Sequence, residues 1–193
     1  MGDDHQFEES ELHHLPRQSI TIPDIDTERW ILDIGGGGEG IIGLIKGRQV
    51  VAIDISREEL EEVENDSLKV VMDATELKFL DGSFDLVTVF YTFMYMPTEM
   101  VRKALEEIAR VLVPGGELLI WEPVVDPSLV DRKIFLTVLD IKLPDGRSVE
   151  TGYGARVRNL DPETMISQLV GSGFGIVEEE RDGHRYFLRA IRK

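Results

Sequence analysis

Trp30-Ile-Leu-Asp-Ile-Gly-Gly-Gly-Gly-Glu-Gly-Ile-Ile-Gly43, continued to Val50-Val-Ala-Ile-Asp54, is the stretch whose reading decides the fold. Ile31 to Ile34 is a short apolar run that stops at glycines, as a buried strand does. Gly35, Gly37 and Gly40 keep the G-x-G-x-x-G spacing of a nucleotide-binding turn between a strand and a helix. Such a turn needs glycine because the chain reverses sharply and its backbone must approach a ligand closely. A second apolar run ends at Asp54, about 20 residues beyond Asp33, where an acid can bind a ribose hydroxyl. The stretch predicts a nucleoside cofactor without saying which.

Working outward, the 193 residues suit about one domain with a substantial core, and 42% hydrophobic content is ordinary for a globular chain. A net charge of −16 argues against a nucleic-acid backbone as partner, which needs a Lys/Arg surface. The chain has no cysteine, so disulfides, thiol nucleophiles and thiolate metal sites are excluded. No run approaches a membrane span, and the acidic N-terminal residues lack a signal-peptide core, so a cytoplasmic protein with no membrane partner is expected.

Residues 1–29 read as a polar N-terminal arm with one short helix around Glu8–Leu15. His5, His13 and His14 read as solvated rather than as a metal site, and no metal is expected. Arg17 is a candidate to fold back over the site and meet a carboxylate. From residue 30 to 193, strands alternate with helices, which implies a parallel sheet covered on both faces. Ser56-Arg-Glu-Glu59 has the form of a capping box, and Asp161-Pro162 of an N-cap followed by proline at the first helical position. Met100, Val101, Ala104, Leu105, Ile108 and Leu112 recur at helical spacing, with Pro114-Gly-Gly116 expected to end that helix before a fifth strand at Glu117–Trp121. Two β-leaning runs flank Pro144-Asp-Gly146 and predict a hairpin inserted at about 134–154. The hairpin is expected to cover the pocket or to add an edge to a homodimer. Gly175–Glu180 and Tyr186–Ile191 should pair as antiparallel closing strands.

Asp73 ends the third strand, in the crevice where it can meet an adenine edge. There is no Tyr-x-x-x-Lys pair for a nicotinamide dehydrogenase and no Gly-Lys-Ser/Thr for a P-loop. The order of motifs resembles the class I S-adenosylmethionine-dependent methyltransferases. The resemblance rests on Ile31-Leu-Asp-Ile-Gly-Gly-Gly37, Val51-Ala-Ile-Asp54, Asp73-Ala-Thr-Glu-Leu77, Ser83-Phe-Asp-Leu-Val87 and Arg110-Val-Leu-Val-Pro-Gly-Gly116, and covers roughly Trp30 to Glu122. It departs from that family's pattern at Gly38-Glu39-Gly40, where a shorter Thr-Gly or Pro-Gly ending is usual.

The resemblance implies an α/β, Rossmann-like, doubly wound fold: a mostly parallel seven-stranded sheet with an antiparallel last strand. It implies S-adenosyl-L-methionine as cofactor, held by Asp33, Gly35, Gly36, Gly37, Asp54, Ile55, Asp73, Ala74, Phe90 and Tyr91. Asp54 would take both ribose hydroxyls, Ile55 cover an adenine face, Asp73 accept from the adenine amine and Ala74 offer an amide. Phe90 and Tyr91 would lie near the sulfonium and methyl. The same acids can equally cap loop amides, and Phe90 and Tyr91 can equally be core. A small-molecule acceptor is the first expectation, and a protein side chain the second. A protein that binds the cofactor without turnover or uses the fold as an interaction module, and a nicotinamide-dependent dehydrogenase, are further alternatives. Tyr91, Tyr95 and Glu122 are the available bases, and none is assigned as catalytic.

Overall fold

A computed structural model describes residues 11–27 and 29–193. In chain order the strands are β1 (Leu12–His14), β2 (Gln18–Thr21), β3 (Ile31–Ile34), β4 (Val50–Asp54), β5 (Leu68–Val71), β6 (Phe84–Phe90), β7 (Leu112–Pro123), β8 (Ile134–Lys142), β9 (Ser148–Arg156), β10 (Phe174–Arg181) and β11 (Arg185–Arg192). The α-helices are α1 (Ile41–Lys46), α2 (Arg57–Glu62), α3 (Thr98–Val111) and α4 (Pro162–Gly171). The larger sheet has seven strands in the order β10-β11-β7-β6-β3-β4-β5. Its β7, β6, β3, β4 and β5 pair in parallel, and β11 runs antiparallel to both β7 and β10. The predicted topology is the one observed.

The central strand β3 is buried at all four positions, because both faces of the sheet are covered. Leu32 and Ile34 join a core with Val101, Leu105 and Ile108 of α3 and Leu169 of α4. Ile31, on the opposite face, joins Ile41, Ile42 and Leu60 from α1 and α2. The helix caps follow the chemistry that predicted them. Ser56 Oγ accepts from the Glu59 amide at 3.1 Å and Asp161 Oδ1 from the Thr164 amide at 2.8 Å. The reciprocal half of the capping box is taken instead by Asp54, whose Oδ1 accepts from the Ser56 amide at 2.8 Å. Helix α3 ends at Val111, earlier than Pro114 suggests, because Leu112 already pairs with Phe84. Pro114–Gly116 then forms an irregular start to β7, with the register jumping from Phe84↔Leu112 to Leu86↔Glu117.

The predicted hairpin is present as β8 and β9, closed where Gly146 takes φ 88°. What the sequence reading missed is its partner. The expected helix over Glu8–Leu15 is overturned within the described residues: Leu12–His14 is a strand. Strands β1 and β2 run in parallel along the edge of β8 opposite β9, giving a second, four-stranded sheet. Gln18 and Ile20 are buried while Ser19 and Thr21 are exposed, a period of 2 too short to stand out in a polar segment. Phe135, Leu139 and Ile141 of this sheet share a core with Leu86, Leu119, Trp121 and Phe187 of the large one. One face of the large sheet is therefore covered partly by strands rather than by helices alone.

Arg17 does not reach the site. It donates to Asp140 Oδ1 and to Glu150 Oε2, both at 2.7 Å, on the hairpin. His13 and His14 are adjacent in β1, so their side chains point to opposite faces, and His5 lies outside the described residues. Among the described residues no helix is long and apolar enough to cross a membrane.

Two substitutions separate burial from charge pairing as the force that holds the second sheet. Leu139→Ala, at a fully buried position, is expected to lower unfolding free energy by about 2–5 kcal/mol in urea titration. Arg17→Ala should change it far less despite two ion pairs, since those partners are exposed. A reversed ranking would show that the ion pairs hold the sheet.

Candidate functional site

The site begins where β3 ends. Gly35 turns with φ 70°, and a Cβ there would lie 2.3 Å from Thr92 Oγ1. A Cβ on Gly36 would lie 2.8 Å from Ala52 Cβ, and one on Gly37 would lie 2.9 Å from Asp54 Oδ2. The three glycines are thus demanded by the neighbouring strands β4 and β6 as well as by the turn. Gly40, with φ 54°, stands immediately before α1, and a Cβ there would meet Asn65 Nδ2 at 2.7 Å. The departure at Gly38-Glu39-Gly40 is accommodated by that left-handed glycine.

The turn opens into a cavity of about 770 Å³ outside the carboxyl ends of β3, β4, β5 and β6. All ten residues named from the sequence line it: Asp33, Gly35, Gly36, Gly37, Asp54, Ile55, Asp73, Ala74, Phe90 and Tyr91. A crevice at the strand ends is where ligands of open parallel sheets bind. Asp54 and Asp73 are held alike. Asp54 Oδ1 accepts from the Ser56 amide, and Asp73 Oδ1 from the Thr75 amide and hydroxyl, each at 2.8 Å. The capping alternative therefore accounts for one oxygen of each acid. Ile55 lines the cavity and is 72% exposed.

Asp33 is buried, and its Oδ1 accepts from Thr88 Oγ1 at 2.7 Å. Loss of solvation pushes its carboxyl up to about 7; Thr88 opposes the shift and the nearby Asp54 charge adds to it. The wall across the cavity comes from the end of β6. Tyr91 has φ 51°, the only positive value outside glycine among the described residues. It is held there by its amide, which donates to Trp121 O at 2.8 Å, and by its hydroxyl, which donates to Gln18 Oε1 at 2.5 Å. The arm residue Gln18 thus supports the site from behind.

Glu122 is corrected as a candidate base. It is fully buried, does not line the main cavity, and its oxygens accept from the Thr92, Phe93 and Met94 amides at 2.9, 2.6 and 3.1 Å. Burial pushes its carboxyl up to about 8 while the three amides pull the other way. Its work is to anchor the 3₁₀ turn Phe93–Tyr95 that follows Tyr91. Met94 is buried core, whereas Tyr95, Met96, Pro97 and Met100 line the cavity.

Sequence reasoning missed Thr92, Gly152 and Tyr153, which also line it. Tyr153 comes from β9 and stacks on Tyr91 with ring centres 5.5 Å apart and planes 22° apart. Nothing local in the sequence marks it. Of the two expectations for the hairpin, covering the pocket is thereby met.

Among the described residues, the ionisable side chains lining the cavity, tyrosines aside, are Asp33, Glu39, Asp54, Glu59, Glu62 and Asp73, with no lysine, arginine or histidine. Glu59 is pushed up by loss of solvation and by Glu62, Asp54 and Glu39 around it. Such a lining attracts a cation and repels an anion. A cofactor that carries a sulfonium, an ammonium and a ribose with two hydroxyls fits these acceptors and charges.

Asp33 makes stability depend on pH. Its folded pKa, about 7, lies above the unfolded 3.8. Its contribution is therefore fully present below pH 3.8 and is lost as pH rises to 7. Urea unfolding of the wild type and Asp33→Asn should give stabilities that diverge across that window, with the wild type falling. Parallel pH profiles would contradict the burial assigned to this carboxylate.

The chain matches the family described as "Methyltransferase domain" over residues 32–120. It is 32% identical to a ubiquinone/menaquinone biosynthesis C-methyltransferase of Hydrogenovibrio crunogenus, over 86% of this chain and 74% of that one. It is 32% identical to a demethylmenaquinone methyltransferase of Clavibacter sepedonicus, over 77% of this chain and 66% of that one. Its fold matches a solved S-adenosylmethionine-dependent methyltransferase from Methanosarcina mazei with a TM-score of 0.64 at 19% identity, over 87% and 94% of the two chains. With the seven-stranded topology and the glycine-and-acid crevice, these likenesses show that the chain belongs to the class I S-adenosylmethionine-dependent methyltransferases.

Proposed function

We propose that this chain methylates an uncharged small molecule at the aromatic end of the cavity, with S-adenosyl-L-methionine along the strand ends. The observation that carries the reading is the lining itself: acids and glycines at the ends of β3, β4 and β5, and Tyr91, Tyr95, Met96, Met100 and Tyr153 from the segment after β6, from α3 and from β9. When bound, the cofactor supplies an electrophilic methyl group. The chain's own part is to bind, orient and exclude water. Asp54 accepts from the ribose, and Asp73 from the adenine amine. Ile55 and Ala74 frame the base. Gly35, Gly36 and Gly37 allow the backbone close to the methionine portion, and Asp33 faces its positive charge. Phe90 and Tyr91 close the methyl end.

Holding a nucleophile in line with a reactive group supplies much of a transfer rate by positioning alone. No general base is assigned, since Glu122 is committed to the amides of residues 92–94. The absence of any cationic side chain in the lining disfavours phosphorylated or carboxylated acceptors. The relatives' names point to quinone precursors, which are neutral rings, in agreement with the aromatic mouth. The proposal extends to a homodimer through the outer edge of β9, which among the described residues pairs with β8 alone, and to a cytoplasmic location inferred from composition.

Calorimetry tests the cofactor site. S-adenosylmethionine and its demethylated product should both bind, and Asp54→Ala should weaken binding about tenfold or more, as expected for losing charge-assisted hydrogen bonds. No binding of either compound would overturn the reading. Sedimentation showing only a 21.8 kDa species would remove the dimer.

A further inference from the structure

The glycine turn carries one polar side chain that cofactor binding leaves without a role. Glu39 projects from Gly38-Glu39-Gly40 to β9, where one carboxylate oxygen accepts from Thr151 Oγ1 and the other from the Tyr153 hydroxyl at 2.8 Å. Both partners lie in the hairpin, more than a hundred residues away in sequence. Thr151 and Tyr153 are alternate residues of β9, so their hydroxyls lie on one face of the strand and tie that face to the turn. Tyr153 in turn stacks on Tyr91 and meets Phe90 edge-on, with ring centres 6.4 Å apart.

We propose that Glu39 is a positioning residue: it fixes Tyr153 as a wall of the acceptor end, and it couples the turn that meets the cofactor to the hairpin. The proposal rests on the methyltransferase reading of the cavity for its link to the cofactor, and on the Glu39 contacts alone for the rest. The geometry is economical. A single carboxylate, two residues beyond Gly37, spans from the phosphate-free glycine turn to the aromatic mouth. A carboxylate accepting two hydroxyls orients both, since its two oxygens are fixed in one plane. Tyr91 cannot hold Tyr153 by itself, because stacking leaves a ring free to slide along its neighbour. The hydroxyl contact removes that freedom. A ligand that settles the glycine turn therefore settles the ring that faces the acceptor, and an acceptor pressing on that ring bears on the turn.

Hydrogen exchange on the full chain, followed by mass spectrometry, tests this with S-adenosylhomocysteine as the probe. In the wild type, amides at 150–154 should exchange slowly and slow further when the probe is added. In Glu39→Ala they should exchange about tenfold faster or more, with the probe's effect on them lost while β3 and β4 stay protected. Tyr153→Phe keeps the ring and removes only the hydroxyl; it should give the same local loss should Glu39→Ala fail to fold. Glu39→Gln, equal in volume but with one oxygen left to accept from one hydroxyl, should recover only part of the protection, whereas a merely space-filling role for this side chain predicts full recovery. Wild-type exchange and probe response at 150–154 in both Glu39→Ala and Tyr153→Phe would overturn the proposal, as would uniform loosening of the whole chain. Failure of the probe to bind the wild type would instead strike the cofactor reading, and exchange in the free proteins would still decide the Glu39 contact.

Discussion

The backbone of Gly35–Gly37 runs so close to Thr92, Ala52 and Asp54 that no side chain fits on it. That close approach lets three parallel strands deliver their ends to one crevice. Were the turn wider, Asp54 would stand away from the glycines and Thr92 away from Ile34, whose carbonyl its hydroxyl contacts at 3.1 Å. The constraint is steric and local, yet it sets the relative placement of β3, β4 and β6. Everything that faces the cavity inherits its position from those strands.

Opposite the turn, the chain is strained and then held. A tyrosine at positive φ is costly, on the order of 1–3 kcal/mol, and persists only where its surroundings over-determine it. Here Gln18 fixes the hydroxyl, Trp121 the amide, and Glu122 anchors the three amides that follow. Gln18 is itself bound to Thr137 Oγ1 at 3.1 Å, which places the second sheet in the same network. The small sheet is thus part of the site's support, and its hairpin is also one of the site's walls.

Charge distribution explains what such a site accepts. The chain carries −16 overall, and the cavity concentrates that sign with no cationic side chain among its described lining residues. A cationic cofactor is drawn in, and Asp33, whose carboxyl burial pushes up to about 7, ionises more readily when a positive group arrives. The aromatic and methionine mouth beyond it has few charged groups and suits a flat, uncharged molecule.

Much of this was legible in the chain. Strand runs bounded by glycine, the S-x-x-E cap and the N-cap with proline are local signals, and each appears where its chemistry places it. The crevice residues were legible too, because strand ends recur at regular intervals in an alternating fold. The arm was not: Gln18–Thr21 is too short and too polar to show its period, and its pairing with β8 depends on residues more than a hundred positions away. Tyr153, Thr151 and Glu122 were misread or missed for the same reason. By itself the sequence determined the order of elements, the glycine turn and the acids of the cofactor end, since propensity, capping and periodicity act between neighbours. Only the tertiary structure decided which side of β8 the arm would pair with, that Glu122 anchors a turn rather than faces a ligand, and that Glu39 holds Tyr153. Those contacts join residues distant in the chain, and their energy exists only once the sheets have packed.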